Sequence, residues 1–84
     1  MKQSYITFRS VTYAQKAERI LKRSGMECTI QRTPKELSKR GCGYCLGIQP
    51  RQITQAAQIL NRENVEYGKL YATGMDGSYE EIHL

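Results

Sequence analysis

The sequence predicts an α+β sandwich of β-α-β-β-α-β order, with a four-stranded antiparallel sheet and two helices on one of its faces. Three observations carry this. Short stretches of alternating polarity are separated by two amphipathic segments of helical period. That strand, helix, strand pattern occurs twice. A length of 84 residues, with 39% apolar and 25% charged side chains, suits one small globular core over residues 1–84.

In residues 4–9 (SYITFR), Tyr5, Thr7 and Arg9 alternate with Ile6 and Phe8, which predicts a first strand with Ile6 and Phe8 facing the core. Tyr13, Ala14, Ala17, Ile20 and Leu21 then recur at helical spacing, while Gln15, Lys16, Glu18, Arg19, Lys22 and Arg23 take the other face. The first helix is expected over residues 11–24, capped by Ser10 or Thr12 and stopped at Gly25. Residues 28–32 (CTIQR) form the second strand, closed by Thr33-Pro34.

Residues 33–43 hold too few apolar groups for a full helix. They read as a long loop with one turn around Lys35 to Leu37. Residues 44–48 give the third strand, and Gln49-Pro50 leads into a second helix whose buried stripe is Ile53, Ala56, Ala57, Ile59 and Leu60, with Asn64 as its C-terminal cap. Residues 67–72 supply the fourth strand. The tail, residues 73–84, is either loose or an extra edge strand over 78–84.

The repeat has an offset of 39 residues. Tyr5 matches Tyr44, Ala17 matches Ala56, Ile20 and Leu21 match Ile59 and Leu60, Gly25 matches Asn64, Met26 matches Val65 and Glu27 matches Glu66. Two β-α-β units in series with both helices on one face are what the ferredoxin-like, split β-α-β arrangement requires.

Charge is unevenly spread within a formal total of +5: residues 1–62 carry a net +9 and residues 63–84 a net −4. No apolar run approaches the ~18 residues of a membrane span, and MKQS leads into no signal-peptide core. The expected location is the cytoplasm, with no membrane partner. No P-loop, dinucleotide fingerprint, Ser-His-Asp order or paired carboxylates are found, so hydrolase and kinase chemistry has no foothold.

The most specific feature is GCGYCLG over residues 41–47, in which Cys42 and Cys45 have the spacing of a redox dithiol or of half a zinc site. A thioredoxin-like thiol opens a helix whose N-terminus stabilises the thiolate, whereas the residues after Cys45 read as a strand. Zinc would need Cys28 and His83 as distant further ligands, so no metal is expected.

Around Cys42, Lys35, Lys39 and Arg40 supply positive charge that favours a thiolate, and Gly41 and Gly43 leave the sulfur open with backbone N–H groups free to bind an anion. Cys42 is therefore the expected reactive thiol. Cys45, beside Leu46, is either packing or a resolving thiol, and Cys28 is expected to pack as a small hydrophobe.

YITF, a helix ending in ILKRSG, a strand, a loop ending in Cys42-Gly43, another strand, QPRQITQAAQIL and a closing strand together resemble the selenium/sulfur carrier-like family of small proteins, over about residues 4–72. The resemblance implies a carrier rather than a catalyst, with a transient persulfide or perselenide on Cys42, no resident cofactor, and a cysteine desulfurase or selenium-using enzyme as partner. In this chain Cys45 could attack such a persulfide, which would release sulfide and leave a disulfide.

Two other readings compete. A small nucleic-acid-binding module would use the basic charge and stack bases on Tyr5, Tyr44 and Tyr71, although no RNP-type aromatic string is present. A structural or regulatory homodimer would leave the cysteines incidental.

Overall fold

A computed structural model describes residues 3–37 and 43–83. The elements are β1 (Ser4–Phe8), α1 (Val11–Arg23), β2 (Cys28–Arg32), β3 (Tyr44–Ile48), a 3-10 turn at Pro50–Gln52 that runs into α2 (Ile53–Arg62), β4 (Leu70–Thr73) and β5 (Tyr79–Ile82). They form a five-stranded sheet of order β2-β3-β1-β4-β5, with every neighbouring pair antiparallel.

The expected sheet of four strands is thus corrected to five, because the tail does pair: Tyr79 lies opposite Thr73 and Ile82 opposite Leu70. Each β-α-β unit is split by a strand of the other. β3 lies between β1 and β2, and β1 lies between β3 and β4.

Alternation along the strands sorts the two faces. Ile6, Phe8, Leu46 and Ile48 pack with Ala14, Ala17 and Leu21 of α1 and with Ala56, Ala57 and Leu60 of α2 in one buried cluster. Alanine at Ala14, Ala17, Ala56 and Ala57 leaves only a methyl between helix and sheet, which lets both helices lie close on the same side.

The repeat is faithful in the helical parts. Ala17 and Ala56 are both fully buried, as are Leu21 and Leu60, and the matched stops Gly25 and Asn64 both have positive φ, at 87° and 60°. It fails at the strands. Tyr5 points away from the helices, whereas its match Tyr44 lies opposite Phe8 on the helix side. The reason is connector length: Arg9 and Ser10 join β1 to α1, but Gln49 alone joins β3 to the turn at Pro50.

Two further corrections are local. Ser10 occupies the N-cap of α1 but makes no side-chain cap; its carbonyl accepts from the Ala14 N–H at 3.2 Å. β4 begins at Leu70 rather than residue 67, because Thr7 bonds two successive residues before the ladder starts. Its carbonyl accepts from the Gly68 N–H (2.7 Å) and its hydroxyl from the Lys69 N–H (2.8 Å). A Cβ at position 68 would lie 2.5 Å from that hydroxyl, so the close approach needs glycine.

One buried group is unpaid. The Ser4 hydroxyl, 1% exposed on the helix side of β1, has no hydrogen-bond partner among the described residues. Because an unmade buried hydrogen bond costs about 1–3 kcal/mol, Ser4→Ala is expected to leave stability unchanged or raise it by up to about 1 kcal/mol. Urea unfolding checks this, and a loss of more than about 1 kcal/mol would show that the hydroxyl is bonded.

Candidate functional site

The loop after β2 starts and ends on neighbouring strands. The Thr33 N–H donates to the Gly43 carbonyl at 3.1 Å, one step beyond the β2–β3 ladder, and this bond closes the base of the loop. The expected single turn is present, with the Leu37 N–H donating to the Pro34 carbonyl at 2.9 Å and Lys35 exposed on it. Lys39, Arg40, Gly41 and Cys42 lie outside the described residues.

Gly43 sits at a close approach. A Cβ there would be 3.2 Å from Thr33 Oγ1 and 3.8 Å from the Phe8 carbonyl, so the residue next to Cys42 is hemmed in by the ends of β1 and β2. From Gly43 the chain enters β3, and alternation turns Tyr44, Leu46 and Ile48 toward the helices.

Cys45 therefore faces the other way. It lies between Thr7 of β1 and Gln31 of β2 on the helix-free face, yet it is fully buried. Its thiol donates weakly to the Arg32 carbonyl at 3.9 Å. Burial pushes the thiol pKa up from 9.0 to about 11, against a smaller opposing effect of a hydrogen bond with Thr33.

Cys28 is placed apart from this site. It faces the helices at the start of β2, donates to the Glu18 carbonyl at 3.9 Å and belongs to the core cluster, as expected for a packing cysteine. Its pKa is raised by burial first and by the Glu18 carboxylate second, against an opposing effect of Lys22. Cys28 and Cys45 are both free thiols on opposite faces of the sheet. His83 is exposed, with Nδ1 3.5 Å from the Glu81 carboxylate. Among the described residues no three His, Cys, Asp or Glu side chains are grouped to hold a metal.

Other neighbours were not legible in sequence. Thr33 touches both Gly43 and Cys45, and Gln31 and Gln3 join over Gly47, with Nε2 donating to Oε1 at 3.5 Å. The Tyr79 ring packs against Tyr5 with centroids 5.9 Å apart. Its hydroxyl pKa is raised by burial, then by Tyr5, Glu36 and Cys45. YEEI in the tail shows no alternation of polarity, so no sequence signal pointed to Tyr79.

The proposed stacking trio of Tyr5, Tyr44 and Tyr71 does not assemble. Tyr5 and Tyr71 are cross-strand partners on the helix-free face, but Tyr44 packs against the core on the other side.

A family model described as Putative Se/S carrier protein-like matches residues 3–72. The chain belongs to this family. The matched span opens just before β1, takes in the loop with Cys42 and the strand with Cys45, and ends within β4. β5 and Tyr79 lie beyond the span shared with these carrier-like proteins. No curated protein and no solved structure gave a match. Among the described residues no helix is long and apolar enough to cross a membrane.

Proposed function

We propose that this protein is a cytoplasmic sulfur or selenium carrier with a ferredoxin-like fold, in which Cys42 holds the atom as a persulfide or perselenide for a partner enzyme. One observation carries the choice of cysteine. Cys28 and Cys45 are buried and held protonated, which leaves Cys42, flanked in sequence by Gly41 and Gly43 and preceded by Lys39 and Arg40, to do the chemistry. Membership of the carrier-like family supports the same reading. Lys35, Lys39 and Arg40 supply charge for the anion, and Gly41 and Gly43 put no side chain beside it.

Loading is a thiol exchange. The Cys42 thiolate attacks the terminal sulfur of a persulfide on a cysteine desulfurase, the S–S bond to the enzyme breaks, and the enzyme's cysteine leaves as thiolate while Cys42 becomes a persulfide. Delivery by the same exchange passes the sulfur on with no net oxidation of the carrier. The alternative, attack of Cys45 on Cys42 Sγ, reduces the outer sulfur to sulfide and oxidises the two thiols to a disulfide. A thiol with pKa about 11 is poorly ionised for that step at neutral pH, which favours direct handover.

The test is intact mass and peptide mapping of reduced protein after incubation with a cysteine desulfurase and cysteine. A thiol-reversible gain of ~32 Da on Cys42 is expected, absent in Cys42→Ser with its circular dichroism unchanged. Loading retained by Cys42→Ser would refute the assignment.

A further inference from the structure

We propose that the outer face of α1 is the docking surface for an acidic protein surface, that of the enzyme that loads Cys42. This rests on the carrier reading and adds the partner's chemistry to it.

Lys16, Arg19 and Arg23 are exposed on α1 at spacings of three and four residues, so they form one stripe about 10 Å long. None of them pairs with a carboxylate among the described residues; the ion pairs there are Arg9–Glu66, Lys22–Glu18, Lys69–Glu81 and His83–Glu81. The first turn of α1 holds no acidic residue, although the helix dipole favours one there. Arg23, in the last turn, suits the dipole, which gives no such reason for Lys16 and Arg19.

α1 starts after Phe8, whose carbonyl approaches Gly43, so it begins at the end of the sheet where the Cys42 loop is closed and runs away from it: Lys16 is the stripe residue nearest that end, and Arg23 lies toward the other, where the chain turns back into β2. α1 also packs against β2, and Arg32 at the loop end of that strand is exposed. Acidic Glu80 and Glu81 sit on β5, at the opposite edge of the sheet. A partner with an acidic surface is thereby steered to the α1 and β2 side and away from β5.

The same geometry argues against single-stranded RNA as the occupant. Such ligands stack bases on exposed aromatics beside a basic track, but Tyr5, Tyr71 and Tyr79 lie on the helix-free face next to Glu81, with the sheet between them and α1, and Tyr13 on α1 packs against the core with the Arg9 guanidinium 5.9 Å over its ring.

The experiment compares wild type with the triple variant K16E/R19E/R23E, measuring initial rates of sulfur loading on Cys42 from two donors. One is a cysteine desulfurase with cysteine. The other is inorganic polysulfide, which gives up one sulfur to the Cys42 thiolate and leaves as a polysulfide one atom shorter. Enzyme-dependent loading is expected to fall about 10-fold or more in the variant and to lose its salt dependence, with polysulfide loading unchanged. The control R51E/R62E, altered on the 3-10 turn and α2, should keep both rates. Equal enzyme-dependent rates in wild type and triple variant would overturn the surface, as would an equal loss with both donors. Wild type that binds a single-stranded RNA oligonucleotide at low salt through these three residues, with enzyme loading untouched by their reversal, would give the surface to nucleic acid instead. Wild type that loads from neither donor would refute the carrier reading itself, and this surface with it.

Discussion

In the folded protein at pH 7, Cys45 is expected to react with iodoacetamide at least about 100-fold more slowly than Cys45 in the unfolded chain. Two routes to the thiol are both slow. In place, a pKa of about 11 instead of 9.0 lowers the thiolate fraction about 100-fold, while a more basic thiolate is a better nucleophile, which returns roughly 10-fold of that, and a side chain that is 0% exposed gives the reagent no path to it. The working route is therefore local opening of β3 and its neighbours, after which the thiol has its ordinary pKa and reacts as in the unfolded chain. An opening that costs about 3 kcal/mol slows that route by a factor of more than 100, because each 1.4 kcal/mol is tenfold. Peptide mapping of timed, quenched reactions with and without concentrated guanidinium chloride measures the ratio. A folded-state rate within a few-fold of the unfolded one would mean that Cys45 is open to reagents, and the resolving step on Cys42 would again compete with handover.

Sequence pattern revealed the elements better than it revealed their faces. The period of Ala14, Ala17 and Leu21, and of Ala56, Ala57 and Leu60, marks both helices, since each stripe must be buried to stabilise its helix. Gly25 and Asn64 mark both helix ends because each stop needs positive φ. The facing of β3 was hidden. In a five-residue strand whose Cys45, Leu46, Gly47 and Ile48 are all buried, no alternation of polarity shows, and a connector one residue shorter than its counterpart turns Tyr44 inward and Cys45 outward. The candidate site was legible as chemistry, through cysteine spacing and glycine flanks. Its surroundings were not, because Thr33, Gln31 and Tyr79 reach it from other strands.

That burial of Cys45 also sets an alkaline limit on stability. The folded state holds the Cys45 proton more tightly than the unfolded state does, so the contribution is complete below about pH 9, where both states keep the thiol protonated. Between about 9 and 11 the unfolded chain ionises and the folded protein does not, and the contribution is lost as pH rises through the folded-state value. Its size follows from the two pKa values, roughly 2–3 kcal/mol for a fully buried group. Burial raises the Cys28 and Tyr79 pKa values as well, so wild type and Cys45→Ala should both weaken over this range, wild type more steeply. Urea midpoints of the two proteins at intervals from pH 7 to 11 isolate the difference, and the comparison is of slopes, because the alanine also leaves a small cavity that shifts its whole curve down. Converging curves would show that the thiol stays closed until the protein unfolds. Parallel curves would mean that Cys45 ionises in place, so that the floor between Thr7 and Gln31 admits water and a thiolate there can reach the loop.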